Sequence, residues 1–162
     1  MALTVTHAFE SAEPAHASKI DGPKWNADHV LEGDYLRKAT VTLSSAQILA
    51  LHTTPITLVA APGAGQSLLL HRVFCQYTFA TAAYVNGDGA PRLTLDGGAV
   101  SLTLSGLIDQ SNDYRKSFPA PDFDTSSDPS NVALIVDDGG AAHTTGDGTL
   151  TVTVWYSIED VP

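Results

Sequence analysis

Polar and apolar residues alternate along much of the chain after residue 38, and this alternation is the pattern of a β-strand with one buried face. It is clearest at residues 40–43, 100–104 and 149–158. Denser apolar runs at residues 56–60 and 67–79 are rich in leucine, valine and aromatic side chains, which suits strands at the centre of a sheet. The body of the chain is therefore predicted to consist of β-strands.

A tight hairpin is predicted in the middle of the body. Gly97 and Gly98 stand between two alternating segments, residues 92–96 and 100–104. Paired glycines adopt the backbone conformation that a two-residue hairpin turn needs, so the flanking segments are expected to pair antiparallel.

Turn-forming residues punctuate the rest of the body. Proline, glycine, asparagine and aspartate predict turns at residues 61–65, 86–89 and 137–148. Residues 109–130 are polar and contain several prolines, so they are predicted to form a long loop. A short apolar run at residues 132–136 predicts a buried strand.

One short helix interrupts the strand pattern. Ser44 and Gln47 have the spacing of a capping box, which predicts a helix over residues 46–51, and Pro55 prevents its continuation. Helices do not otherwise alternate with strands, so a parallel α/β sheet is not expected. We assign residues 38–162 to an all-β body, an antiparallel sandwich or jelly-roll-like domain with one short helix.

Residues 1–37 follow neither periodicity and are predicted to form an extended N-terminal docking arm with few regular elements. Such a segment cannot bury its apolar side chains by itself, so we expect them to dock on the body or on a neighbouring chain. The predicted anchoring residues are Phe9, Ile20, Trp25, Asn26, His29 and Val30.

Charge and composition narrow the class of protein. Charged residues make up 16% of the chain, against roughly 25% in typical soluble domains, and β-rich, loop-rich extracellular or virion proteins have this composition. The net charge is -10, and no stretch concentrates lysine or arginine, which argues against nucleic-acid binding. An acidic surface is expected either to keep the protein soluble or to meet a basic partner.

No targeting or membrane-spanning segment is expected from the sequence. The first residues lack a basic segment followed by an apolar one, and no run approaches the ~18 apolar residues of a membrane span. The protein is therefore expected to be made in the bacterial cytoplasm without membrane insertion. A position outside the cell would come from assembly into a particle.

No enzymatic activity is predicted. Cys75 is the single cysteine, so neither an intrachain disulfide nor a thiolate metal cluster can form. The histidines lack metal-ligand spacing, and no nucleophile elbow is present.

Acidic pairs are the one feature that suits a metal ion. Asp122 with Asp124, and Asp137 with Asp138, place carboxylates in predicted loops, where Ca²⁺ would accept them if backbone carbonyls completed its ligands. Acidic loops are also common without a metal. No cofactor is predicted.

Aromatic residues near acidic ones suggest a carbohydrate surface. Aromatic faces stack on sugar rings while carboxylates accept hydrogen bonds from sugar hydroxyls. The candidate glycan contacts are Tyr84, Asp113, Tyr114, Phe118, Asp122 and Phe123. The alternative is that these aromatics fill the core or a subunit interface.

Several motifs resemble virion proteins of tailed phages. Residues 7–9 (His-Ala-Phe) and 24–30 (Lys-Trp-Asn-Ala-Asp-His-Val) resemble the N-terminal segment of tail-fibre and related appendage proteins. Residues 41–51, 54–65 and 150–156 resemble segments of small phage structural proteins. The resemblance covers both ends of the chain and the first half of the body.

The resemblance implies a surface component of a phage particle or of a phage-derived gene transfer particle. A compact chain without a repetitive shaft suits a head spike or fibre, whose arm would anchor on the capsid or a spike base and whose body would contact host polysaccharide. The alternative is a capsid decoration (cement) protein or a tail-fibre subunit with no receptor role. Particle appendages are symmetric, so a homo-oligomer is expected, a trimer or a pentamer at a vertex.

Overall fold

The computed structural model describes residues 4–6, 30–32, 36–85, 90–95, 100–119, 131–140 and 142–160. The chain divides into two compact units, Met1–Asp34 and Tyr35–Pro162. In the first unit, strand β1 (Thr4–Thr6) pairs antiparallel with β2 (Val30–Glu32), a ladder that the sequence pattern did not predict. Of the predicted anchoring residues, Val30 begins β2, while Phe9, Ile20, Trp25, Asn26 and His29 lie outside the described residues.

The second unit is all-β, as predicted, and its described residues form two four-stranded antiparallel sheets and one short helix, α1 (Ser45–Ala50). Sheet I has the strand order β3 (Arg37–Leu43), β10 (Thr149–Asp160), β5 (Gln66–Thr78) and β8 (Tyr114–Pro119). Sheet II has the order β4 (Ile56–Val59), β9 (Leu134–Asp138), β6 (Pro91–Leu95) and β7 (Val100–Thr103).

The centre of sheet I is the pairing of two long strands, β5 with 13 residues and β10 with 12. Their register shifts between Trp155, which pairs with Arg72, and Tyr156, which pairs with Leu70. His71 is therefore the extra residue of a β-bulge in β5. Without it, the apolar residues on one side of the bulge would turn to the outer face, because side chains alternate with a period of two.

The core lies between the two sheets and contains side chains from both. Sheet I contributes Leu70, Val73, Cys75, Tyr77, Leu150, Val152 and Val154, and sheet II contributes Leu58, Val59, Leu93, Leu95, Leu134 and Val136. Burial raises the pKa of the Cys75 thiol to about 12, so this cysteine behaves as a small apolar residue.

The predicted capping box is present at the start of α1. The Ser44 backbone N–H donates to Gln47 Oε1 over 2.9 Å, and the Gln47 backbone N–H donates to Ser44 Oγ over 3.4 Å. These bonds satisfy backbone donors at the start of the helix. Ile48 of the helix is buried in the core, so the short helix closes one part of the body.

The predicted loop over residues 109–130 is wrong in part, because β8 occupies Tyr114–Pro119. β8 is the edge strand of sheet I and pairs with β5. Phe118 is its buried side chain and Lys116 is half-buried, while the other side chains of the strand are exposed. An edge strand with so little apolar surface shows almost no alternation, and charges with a terminal proline protect such an edge from pairing with other chains.

Strand β9 also differs from its prediction. It begins two residues later than expected and includes Asp137 and Asp138, which the sequence placed in a turn. Both carboxylates are buried. Asp137 pairs with Arg92, as a buried charge requires. Asp138 Oδ1 accepts a hydrogen bond from the Gly140 backbone N–H over 3.4 Å, and its Oδ2 lies 3.2 Å from His143 Nε2 without forming a hydrogen bond to it.

The predicted hairpin between β6 and β7 is confirmed by its antiparallel register, in which Leu95 pairs with Val100 and Arg92 with Thr103. The turn glycines, Gly97 and Gly98, lie outside the described residues.

Tyr84 holds together the segment that follows β5. Its side chain is 2% exposed, its hydroxyl donates to the Gly148 carbonyl over 2.7 Å, and its backbone N–H donates to the Ile108 carbonyl over 3.1 Å. The ring packs edge-on against Tyr77. Gly146, with φ +95°, lies against the ring so closely that a Cβ there would overlap it.

Gly146→Ala is therefore expected to destabilise the body more than Gly106→Ala. Both glycines have positive φ, at +95° and +69°, but a Cβ at Gly106 would enter open space. Gly106→Ala should lower the free energy of unfolding by about 1–2 kcal/mol, because alanine is disfavoured in the left-handed backbone conformation. Gly146→Ala adds an overpacking cost of roughly 1–3 kcal/mol. Urea unfolding of the two variants measures the difference, and equal free energies of unfolding would contradict the placement of the Tyr84 ring.

Candidate functional site

The outer side of sheet I carries the most distinctive surface of the described residues, which we call the Trp155 face. It consists of the outward side chains of β3, β10 and β5 in cross-strand rows. The three rows are Lys38–Trp155–Arg72, Thr40–Thr153–Phe74 and Thr42–Thr151–Gln76. The threonine hydroxyls pair across the strands, at 3.1 Å for Thr40 with Thr153 and 2.9 Å for Thr42 with Thr151.

Two cations flank the indole ring of Trp155. Lys38 Nζ lies 5.8 Å and Arg72 Cζ 5.6 Å from the ring centroid, and each reaches it from a different neighbouring strand. At exposed sites each such contact is worth about 0.5–1 kcal/mol. Arg72 is also held by a hydrogen bond from its Nε to Ser117 Oγ over 3.2 Å. The strand register therefore places both cations beside the ring.

The charges of these two cations are not neutralised within the described part of the chain. The close contacts of basic side chains with carboxylates there join Arg92 with Asp137 and His143 with Asp138, and neither Lys38 nor Arg72 takes part. Both side chains are exposed. Lys38 and Arg72 thus place two positive charges beside Trp155 on a chain whose net charge is -10.

Exposed leucines extend the face beyond Trp155. Leu69, which pairs with Ser157, is 41% exposed, and Leu36, two residues before Lys38, is 61% exposed. The two-residue alternation of a strand places Leu36 on the same side as Lys38. Exposed apolar side chains beside a tryptophan and an arginine are the composition of a protein-binding surface, in which tryptophan and arginine contribute most of the energy.

The bulge brings a histidine and a serine together at the end of this face, but they do not form a nucleophilic pair. His71 Nε2 lies 2.9 Å from Ser157 Oγ, and that hydroxyl donates to Glu159 Oε1 over 2.8 Å. Because the single hydroxyl proton goes to Glu159, His71 must donate to the serine oxygen and cannot remove its proton. Ser157 is also buried. The contact fixes the bulge.

The predicted glycan residues do not share one surface. Tyr84 and Phe118 are core side chains, which corrects their assignment as contacts for a ligand on the surface. Tyr114 is 36% exposed and begins β8. Asp113 Oδ1 accepts a hydrogen bond from the Phe79 backbone N–H over 2.9 Å, so this carboxylate holds the chain where it leaves β5. Asp122 and Phe123 lie outside the described residues.

The acidic pairs considered for Ca²⁺ have other partners where the structure describes them. Asp137 is bound to Arg92, and Asp138 faces His143. Nowhere in the described ranges do three or more histidine, cysteine, aspartate or glutamate residues gather as metal ligands would. Asp122 and Asp124 fall in residues 120–130, which are not among them. No helix in the described part of the chain has the length and apolarity needed to cross a membrane.

Sequence reasoning did not identify the Trp155 face. One signal for it exists in the sequence, because Thr151, Thr153 and Trp155 occupy the polar positions of an alternating strand. The proximity of Lys38 and Arg72 to Trp155 depends on the pairing of strands that are far apart in the chain, which no local pattern reveals.

Comparisons with known proteins add little. No protein-family model matches the chain, and no curated protein matches it. Among solved structures, the fold is similar to that of a chain of the cyanophage Pam1 capsid asymmetric unit, with 13% sequence identity and a TM-score of 0.45. The similarity covers 94% of this chain and 99% of that one. A structural similarity this weak does not indicate a function for this chain.

The buried His143 makes the stability of the body sensitive to pH. Burial lowers the pKa of His143 below its usual value, and the charge of Asp138 offsets part of that shift. The folded body therefore resists protonation of this ring, whereas the unfolded chain binds the proton near the ordinary value of ~6.5.

Acidification from pH 7 to pH 5 is expected to destabilise the protein because the unfolded state then binds more protons than the folded state. His143→Gln removes the titrating ring, so its free energy of unfolding should fall less over the same range than that of the unmodified protein. Urea unfolding at several pH values measures both slopes. Parallel slopes would show that His143 does not contribute to the acid sensitivity.

Proposed function

We propose that the chain is a non-enzymatic structural protein of a tailed-phage-like particle and that it acts by binding other virion proteins. The observation that supports this most directly is the Trp155 face, where a tryptophan lies between two unneutralised cations beside exposed leucines. Exposing the tryptophan and leucine side chains to water is unfavourable. A partner chain that covers the face would bury this apolar area and pair the two positive charges.

The position of the face on a sheet suits a binding role. Its side chains stand on β3, β10 and β5, and the last two strands carry the core on their other side. A backbone held in a sheet needs little ordering when a partner binds, so more of the contact energy appears as affinity.

The particle setting rests on the sequence resemblance. The Trp-Asn-Ala-Asp-His motif at residues 25–29 resembles the anchoring segment of phage appendage proteins, and it belongs to the first structural unit, Met1–Asp34. In our proposal the N-terminal arm anchors the subunit on the capsid or on a spike base, and the arm ends before residue 37 because Arg37 already begins β3 of the body. The body, with its own core, then projects as a head spike or fibre at the particle surface.

Deleting residues 2–30 tests the anchoring. The truncated chain is expected to be absent from purified particles, while its circular-dichroism spectrum keeps the β signature of the body. Normal incorporation of the truncated chain would contradict the anchoring role of the arm.

Trp155→Ala tests the face. Truncation of an interface tryptophan typically costs about 2 kcal/mol or more, so the apparent affinity for the particle should fall roughly 30-fold. Val85→Ala is the matched control, because Val85 is an exposed apolar residue outside the strands of sheet I. Quantification of each variant in purified particles measures the effect. Equal incorporation of the two variants, both with an unchanged melting temperature, would exclude the Trp155 face as a docking surface.

Contact with host polysaccharide is the second part of the spike proposal, and it is supported by the exposed aromatic ring of Tyr114. A cement protein is the alternative, supported by the apolar part of the Trp155 face, which subunits would bury between them. Particles that lack the protein should bind fewer cells at unchanged heat stability if it is a spike. They should lose heat stability at unchanged cell binding if it is a cement.

A further inference from the structure

The body carries an acidic surface that complements the Trp155 face. Asp109, Asp113 and Asp147 are exposed and lie near Tyr77, close to the residue where β5 ends, and we call this group the acidic end. Asp113 accepts from the Phe79 N–H, and Asp147 accepts from the N–H groups of Thr81 and Ala82, each over 2.9 Å. These bonds hold two of the three carboxylates in place.

The negative charges act together at this position. Burial raises the pKa of Tyr77, and the charges of Asp147, Asp109 and Asp113 raise it further. Hydrogen bonds from Thr81 and Ala82 lower the pKa of Asp147, so this carboxylate stays ionised well into the acid range. The acidic end is therefore negatively charged at neutral pH.

The two surfaces are too far apart to neutralise each other within one copy. Tyr77 lies five positions after Arg72 in β5, which corresponds to about 16 Å along an extended strand. Exposed charges are largely screened beyond about 8 Å at physiological ionic strength. Contact between the opposite charges requires a second molecule.

We propose that the Trp155 face of one copy binds the acidic end of a second copy, so that the chain assembles head to tail. Different surfaces meet in such a contact, and a heterologous contact closes into a ring when its rotation allows. Lys38 and Arg72 pair with the carboxylates, while Trp155, Leu36 and Leu69 supply the apolar centre. This inference rests on the proposed role of the Trp155 face and names its partner.

Charge reversal in the full-length chain tests the proposal. Lys38→Glu/Arg72→Glu reverses the face, and Asp109→Lys reverses part of the acidic end at a residue whose recorded hydrogen bond is to the neighbouring Gln110 side chain. Either change should raise the dissociation constant of the oligomer roughly 10- to 100-fold, measured by sedimentation velocity at low ionic strength. Mixing the two variants should restore assembly, because each then offers the charge that the other needs.

Arg37→Glu is the matched control. It makes the same change of charge as Lys38→Glu alone, one residue away and on the other side of β3, and is expected to leave intact the oligomer that Lys38→Glu alone weakens. Circular dichroism and melting temperature check that each variant is folded, and exposed substitutions of this kind are expected to change the melting temperature little.

Two results would overturn the head-to-tail contact: an unmodified chain that stays monomeric at every concentration, or an oligomer that Lys38→Glu/Arg72→Glu leaves unchanged. Neither result removes the proposed function if Trp155→Ala still lowers incorporation into particles. In that case the partner of the face is a different virion protein.

Discussion

The pairing of β5 with β10 around the bulge at His71 is the constraint on which the rest of the body depends. The two strands form the middle of sheet I, and their inward side chains make up much of the core. The bulge lets Leu70 and Val73 both face inward although they are three residues apart. It also brings Arg72 directly across from Trp155 on the outer side. One extra residue thus serves the packing of the core and the composition of the outer face.

The sequence predicted those parts of the fold whose signals are local. Strand β10 alternates threonine with Leu150, Val152 and Val154 because one of its faces is buried, and this pattern is visible without a structure. The capping box at Ser44 and Gln47 was equally readable, since both partners lie within one turn of helix. Short-range geometry decides such elements, so short-range patterns predict them.

What could not be predicted depends on partners that are distant in the chain. The sequence pattern did not predict strand β8, because a strand whose buried side chain is Phe118 shows almost no alternation. Its pairing partner, β5, lies far away in the chain. Asp137 was expected in a turn because its partner, Arg92, is 45 residues away. The same limit applies to the site: the tyrosines chosen for their chemistry include core residues, whereas the Trp155 face arises from the register of three strands.

Charge is distributed unevenly on this acidic chain. The buried carboxylate of Asp137 is matched by Arg92 inside the body, while Lys38 and Arg72 stay unmatched on the outer face of sheet I within the described part of the chain. A body that leaves two cations beside a tryptophan on its surface is suited to bind an acidic protein partner.

Hydroxyl-radical labelling of the free chain and of intact particles, read out residue by residue by mass spectrometry, tests whether a partner covers the Trp155 face. We expect Trp155, Leu36 and Leu69 to be oxidised in the dilute free chain and strongly protected in the particle. Equal labelling of Trp155 in the two states would show that no partner covers this face.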